Sequence, residues 1–303
     1  MDREIKIGTR DSELALWQAN TVKAKLEELG YKAKLVPVKA TGDLVLDKPL
    51  YELGITGIFT KTLDIAMHNG TIDIAVHSMK DVPTSLPKNI VQAAVLERAN
   101  VEDILIHKGL EFLDTTGIIA TGSLRRKAQW LNKYPSHRVV DLRGNVNTRL
   151  QKLIDNNWNG AIFARAGLER INLKPENHIV LDWMVPAPAQ GAMVVVAMED
   201  DDFSIKAISN LNHKDTEICT RIERDFLKEL EGGCSAPIGA LAKISNEKIY
   251  FEGVLLSLDG KEKIEVENSV PIKDYIGFGI SCAREVIENG GKELMKRIKS
   301  EMK

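Results

Sequence analysis

Short apolar, β-branched runs alternate with amphipathic stretches through the first two thirds of the chain. Ile5-Lys6-Ile7 predicts a first strand ending at Gly8-Thr9. Ser12 is placed to cap a helix carrying Leu14, Leu16, Trp17, Ala19, Val22 and Leu26, which closes at Leu29-Gly30. Lys34 to Val38 predicts a strand, Phe59 to His68 a helix closed by Asn69-Gly70, and Ile72 to Val76 a buried strand. This β-α-β-α-β order implies a largely parallel sheet with helices on both faces. The pattern then returns without close sequence repetition. Gly117 to Ala120, Arg138 to Asp141 and Ala161 to Ala164 read as strands, with helices over Leu124 to Leu131 and Val146 to Ile154. The two units join near Ala99 and again near Pro186-Ala187-Pro188.

From Lys214 the character changes. A helix with Ile218, Ile222, Phe226, Leu227 and Leu230 on one face ends at Gly232-Gly233. Three strand-like runs follow, Ile238 to Ile244, Ile249 to Leu258 and Lys263 to Val270, with Asp259-Gly260 as a hairpin turn. A last helix is predicted over Ile280 to Glu288. The fold class is therefore α/β: two doubly wound domains plus a smaller α+β C-terminal domain.

Composition narrows the function. A length of 303 residues suits two or three domains. The 41 Lys+Arg against 43 Asp+Glu leave a formal charge of −2, which argues against a general nucleic-acid or membrane-surface binder but permits a local basic cluster. Cys219, Cys234 and Cys282 are widely spaced and form no C-x-x-C pair, so neither a disulfide framework nor a zinc site is expected. Met1-Asp2-Arg3-Glu4 lacks a signal-peptide core, and apolar stretches such as Met193 to Met198 are too short to cross a bilayer. A soluble cytoplasmic protein is the expectation.

Candidate chemistry concentrates in four segments, each after a predicted strand, where open α/β sheets bind ligands. They are Gly8-Thr9-Arg10, Val76 to Pro83, Ala120 to Arg126 and Leu142 to Arg149. In the last two, small residues allow close backbone approach, and Thr121 and Ser123 add hydroxyls. Arg125, Arg126, Arg143 and Arg149 add permanently charged forks that match carboxylate or phosphate. Arg10 and Arg170 stand in comparable positions. No nucleotide or dinucleotide glycine motif is present, and the acidic run Glu199 to Asp202 reads as a solvated turn. Asp81, before Val82-Pro83, is placed on a ligand-facing rim as proton donor or counter-charge to a developing cation; a turn-forming role remains open. His77 reads as structural and points opposite Ser78. Cys234 sits on a tight loop between Gly232-Gly233 and Pro237, as nucleophile, attachment point or packed thiol, whereas Cys219 and Cys282 fall within helices as core residues.

These segments together resemble the porphobilinogen deaminase (hydroxymethylbilane synthase) family. The resemblance runs in order from Gly8-Thr9-Arg10-Asp11-Ser12 and Leu14 to Ala19, through Val76 to Pro83, Ser123 to Arg126, Arg143 to Val146 and Ala166-Gly167-Leu168, to Gln190-Gly191-Ala192 and Leu230 to Cys234. It implies three domains, residues 1–98 with 190–211, 99–189 and 212–303, the first two built like periplasmic binding proteins with a cleft between them. It implies a dipyrromethane cofactor joined to Cys234 by a thioether, and head-to-tail condensation of four porphobilinogen molecules with loss of ammonia. Water then releases the linear tetrapyrrole hydroxymethylbilane. By the same resemblance Asp81 is catalytic. Ser78, Lys80, Asp81, Thr121, Ser123, Arg125, Arg126, Arg143, Gly144 and Cys234 hold the cofactor, and Arg10, Ser12, Phe59, Arg149, Arg170 and Gln190 contact substrate. A monomer without metal, nucleic acid or membrane partner is implied.

The chain departs from the common family pattern in three places. Gly54-Ile55-Thr56-Gly57 replaces a Gly-Gly-Lys-Gly loop and loses a cation, Gly122 replaces a frequent Ser, and Pro188-Ala189 precedes Gln190 where an Xaa-Gly pair is common. The rival classes are a non-catalytic binding protein for a small anion, which leaves Asp81 and Cys234 unexplained, and a phosphate-sugar enzyme, for which no metal cluster or nucleotide loop is present.

Overall fold

Strand β1 (Glu4–Thr9) buries Ile5 and Ile7 completely, and α1 (Glu13–Glu28) turns Ala19, Val22 and Leu26 into the same cluster. The structure is a computed structural model that describes residues 3–38, 60–231 and 236–302. Gly54 to Gly57, Phe59 and the loop carrying Cys234 lie outside the described residues. Ser12 adopts the extended N-cap conformation, but its hydroxyl makes no capping bond; its carbonyl accepts the Leu16 N–H at 2.9 Å instead. Next come β2 (Lys32–Pro37), α2 (Lys61–His68), β3 (Ile74–Ser78), a 3-10 turn (Met79–Asp81) and β4 (Ile90–Val95).

The middle of the chain forms β5 (Asp103–His107), β6 (Ile118–Ala120), α3 (Leu124–Lys133), β7 (Arg138–Val140), α4 (Val146–Asp155), β8 (Gly160–Ala164), α5 (Arg165–Arg170) and β9 (His178–Val180). The chain then adds β10 (Met193–Met198) and α6 (Asp202–Ser209) to the first sheet's core. Two compact units result, one of residues 3–38, 60–99 and 191–217, the other of residues 100–190, 218–231 and 236–302.

Four strands of each five-stranded sheet run one way, in keeping with the largely parallel order expected, and one reversed strand makes each sheet mixed. The first runs β2-β1-β3-β10-β4, with β1 parallel to β2 and β3, and β10 antiparallel to both its neighbours. The second runs β7-β6-β8-β5-β9, with β6 parallel to β7 and β8, and β5 antiparallel to both its neighbours. Each sheet thus follows one plan: a parallel trio built by crossover helices, then one reversed strand, then an outer strand running in the trio's direction. Antiparallel insertion requires no crossover helix, so an apolar run such as Met193 to Met198 carries no signal of its direction. In the acidic run Glu199 and Asp200 form an exposed turn, as expected, while Asp201 caps α6 by accepting the Ser204 N–H and takes a bidentate contact from Arg3 at 2.7–2.8 Å.

The second unit also contains the C-terminal part of the chain. Helix α7 (Lys214–Glu229) packs Ile218, Ile222 and Phe226 against the antiparallel sheet β11 (Ile238–Ser245), β12 (Lys248–Leu256) and β13 (Lys263–Pro271). Helix α8 (Phe278–Val286) is followed by a π-helical turn in which Gly290 takes φ +100°, and then by α9 (Lys292–Glu301). The single last helix expected from sequence is therefore two, the second burying Leu294, Met295 and Ile298 at helical spacing. Cys219 and Cys282 are buried in α7 and α8, and burial pushes the Cys282 thiol up to about 11.

Within this unit, Ala128, Val185, Val254 and Leu256 form one apolar cluster between α3 and β12, and the Ala240 N–H donates to the Pro186 carbonyl at 3.0 Å. Glu223, fully buried on α7, fastens the same seam. Its Oε2 accepts the Ala189 N–H at 2.6 Å and its Oε1 the Ala242 N–H at 2.8 Å. Ala189 holds φ +61°, a conformation that costs a non-glycine residue energy and persists because its surroundings fix it. Glu223→Ala leaves two buried N–H groups without these acceptors, and a loss of about 2–5 kcal/mol is expected, read as a lower urea midpoint.

Candidate carboxylate-binding site

In the second unit, β6, β7 and β8 run parallel, so their carboxyl ends lie along one edge of the sheet. Beyond β6, the buried Thr121 joins the loop to β7 through its N–H to the Val140 carbonyl, and its hydroxyl accepts the Ser123 N–H at 3.2 Å. Ser123 caps α3 by accepting the Arg126 N–H, which starts the helix so that Arg125 and Arg126 fall in its first turn. Both guanidiniums are buried, at 4% and 6% exposure. Beyond β7, Arg143 is 8% exposed, Gly144 takes φ +114°, and Asn145 caps α4 through the Thr148 N–H. Arg149 Nε donates to the Gly144 carbonyl at 2.7 Å, which ties that arginine back onto its own loop. Arg170 ends α5, the helix that follows β8.

One residue that sequence reasoning missed organises this edge. Asp103, fully buried at the start of β5, lies 2.7 Å from Arg125 Nη1 and accepts Nε and Nη2 of Arg126 at 3.0 and 2.8 Å. Arg126 Nη1 donates to the Ile162 carbonyl and Arg125 Nη1 to the Val185 carbonyl. Gln190, expected to contact substrate, is 1% exposed, and its amide donates to the Val101 carbonyl at 2.7 Å and to Asp103 at 2.9 Å. Asp103 opens an apolar strand, a placement that in sequence looks like any charged strand end.

The electrostatics show an excess of buried positive charge. Two guanidiniums share the Asp103 carboxylate, and Arg125 Nε is buried without a hydrogen-bond partner among the described residues. Burial lowers the Arg125 pKa, opposed by Asp103 and reinforced by Arg126; burial also lowers Arg143 and pushes Arg170 down to about 10. A cation destabilised by burial is stabilised when an anion binds beside it. These residues therefore fit a ligand bearing several carboxylates, as dipyrromethane does.

In the first unit, β1 and β3 are parallel neighbours. Arg10 and Ser12 follow β1, while Ser78, Lys80 and Asp81 stand at the end of β3 and in its 3-10 turn. Gln18 of α1 donates to the Ser78 hydroxyl at 2.8 Å. His77 is buried, and burial, aided by Arg10, lowers its pKa to about 4, so it is neutral at physiological pH. Lys80 and Asp81 are half-buried. Phe59 and Cys234 lie outside the described residues. Among the described residues, no group of three or more His, Cys, Asp or Glu is arranged to hold a metal.

The Gly122 departure has a local cause. A Cβ there would lie 2.5 Å from the Leu142 carbonyl oxygen, so the loops after β6 and β7 approach more closely than a side chain permits. Gly122→Ser must push these backbones apart, and a loss of roughly 1–3 kcal/mol in urea unfolding is expected, with weaker carboxylate binding.

The chain is similar in sequence to known proteins. The family description "Porphobilinogen deaminase, dipyromethane cofactor binding domain" matches residues 5–206, and "Porphobilinogen deaminase, C-terminal domain" matches residues 217–288. The chain is 39% identical to the porphobilinogen deaminase of Pelotomaculum thermopropionicum over 99% of both chains. It is also 39% identical to a probable porphobilinogen deaminase of Methanococcoides burtonii, over 98% of this chain and 97% of that one. Among solved structures, the methionine-binding protein MetQ aligns with a TM-score of 0.45 at 16% identity, over 69% of this chain and 89% of that one. Matched along nearly its whole length and carrying buried cations suited to carboxylates, the chain belongs to the porphobilinogen deaminase family.

Proposed function

We propose that the chain is a hydroxymethylbilane synthase that joins porphobilinogen units head to tail on a dipyrromethane primer and releases the linear tetrapyrrole. The observation that carries this reading is the surplus of buried guanidinium charge along the β6–β8 edge. Each pyrrole of substrate and primer carries an acetate and a propionate, so ligand and site are complementary in charge. Arg125, Arg126, Arg143, Thr121, Ser123, the Gly144 backbone, Ser78 and Lys80 are assigned to the primer's carboxylates. Arg10, Ser12, Arg149, Arg170 and Phe59 are assigned to incoming substrate, and Cys234 to thioether attachment.

When bound, the primer supplies the pyrrole carbon to which each unit is joined. Asp81 is assigned the chemistry. Loss of ammonia from the substrate's aminomethyl group leaves positive charge on that ring, and a carboxylate held at the end of β3 stabilises it. The same carboxylate accepts and returns the proton that each bond-forming step releases. A half-buried site strengthens these interactions relative to bulk water. Domain boundaries at residues 1–98 with 190–211, 99–189 and 212–303 remain the working division, with movement between them to accommodate the growing chain.

Among the described residues no helix is long and apolar enough to cross a membrane. A thioether at Cys234 requires a reduced thiol during assembly, a condition the cytoplasm maintains, and a monomer acting there is the proposed form. A non-catalytic anion-binding protein would use the arginines equally well, and mass separates the two readings. Purified protein is expected to carry a covalent adduct of two pyrrole units and to redden with Ehrlich reagent, while Cys234→Ser lacks both. Unmodified, colourless wild-type protein would favour the binding-protein reading. Asp81→Ala is expected to retain the adduct and the fold while turnover falls by roughly a hundredfold or more; wild-type turnover would remove Asp81 from the mechanism.

A further inference from the structure

Asp103 is buried beyond solvent's reach, yet its carboxylate is shared between two guanidiniums and an amide. A pair built only for stability would be matched one to one, because leaving a buried cation under-compensated is costly and even a balanced buried ion pair adds little net stability. The placement of Asp103 is a consequence of strand direction. β5 runs antiparallel to β8, so its first residue, Asp103, pairs with Ala164, the last residue of β8. The reversed strand thus brings an acid to the same edge as the carboxyl ends of β6 and β8, beside the first turn of α3. Gln190 donates to the Oδ1 atom that Arg126 also contacts, and so fixes the carboxylate without adding charge. Backbone carbonyls of Ile162 and Val185 hold one Nη1 of each guanidinium.

We propose that Asp103 is a positioning residue, which sets the planes of Arg125 and Arg126 and holds that pair at a net of one positive charge toward a pyrrole carboxylate, with Gln190 as its neutral brace. The proposal rests on the dipyrromethane reading above and assigns the cation pair an internal counter-ion. The geometry explains why the charge is partial. Two unopposed guanidiniums at this depth would repel each other and turn apart, whereas full neutralisation would leave nothing for the ligand. One carboxylate between them keeps both forks fixed and the site cationic.

The test measures the cofactor-loaded fraction of purified protein by intact mass, with folding followed by circular dichroism and urea denaturation. Asp103→Asn preserves shape but removes the charge. It is expected to fold and to show a loaded fraction roughly tenfold or more below wild type, as expected for losing a charge-assisted contact. Gln190→Met keeps every charge and removes only the brace. Its expected signature is a KM for porphobilinogen raised severalfold, with kcat within about twofold of wild type, in protein folded at the assay temperature. A merely structural role would instead make loading follow the urea midpoint across both variants.

Folded Asp103→Asn protein that is fully loaded and has wild-type KM overturns the proposal. If Asp103→Asn does not fold, Gln190→Met decides: an altered KM in folded protein supports positioning, and an unchanged KM with full loading refutes it. Wild-type protein without any adduct would instead overturn the cofactor reading and the inference together, an outcome distinct from loaded wild type with indifferent variants.

Discussion

One carboxylate between two buried guanidiniums is the interaction on which the second unit's ligand edge depends. Asp103, Arg125 and Arg126 come from separate parts of the chain, the start of β5 and the first turn of α3, and each is buried. Their charges do not cancel. Water solvates isolated ions far better than protein does, so such a cluster persists only where surrounding packing compels it or a ligand completes it. The first condition is met in the structure, and the family's dipyrromethane cofactor suits the second. Carbonyls of Ile162 and Val185 and the amide of Gln190 fix the cluster, while the remaining positive charge suits a ligand rich in carboxylates.

The sheet architecture decides where the chemistry stands. Parallel strands put several loop starts on one edge, and helices beginning there present backbone N–H groups and capped first turns. The Ser123 cap starts α3 and the Asn145 cap starts α4, so each cap also orients the arginines that follow it. The reversed strand β5 supplies the acidic partner that purely parallel topology would send to the opposite edge. The first sheet repeats the plan, with β10 as its reversed strand, and places Arg10, Ser12, Ser78, Lys80 and Asp81 after β1 and β3. Two sheets of one design thus carry different residue sets, buried arginines on one and Asp81 with Arg10, Lys80 and two serines on the other.

The segment around Gln190 is itself constrained. Ala189 and Gly191 both take positive φ, at +61° and +85°, on either side of Gln190. Glu223 holds the Ala189 N–H, and Gln190 turns its amide inward onto Asp103. Backbone strain, a buried carboxylate on α7 and the ligand-edge cluster are therefore linked through three consecutive residues and their partners. The Pro188-Ala189 departure from the common family pattern falls in this segment, where alanine accepts a conformation that glycine adopts more cheaply.

Much of this protein was legible in the order of its residues. Hydrophobic periodicity placed β1, α1, α3, α4 and the C-terminal hairpins within a few residues, because an amphipathic face is a local property of the chain. Loops following strands pointed to Arg125, Arg126, Arg143 and Asp81, since charged residues after apolar runs are visible without any contact being known. The one reversed strand in each sheet was not legible; an apolar run such as Met193 to Met198 pairs equally well either way. The same ignorance concealed Asp103 and the inward turn of Gln190 and Glu223. Their meaning lies in partners 19 to 87 residues away, and only the folded chain brings those charges into one low-dielectric interior.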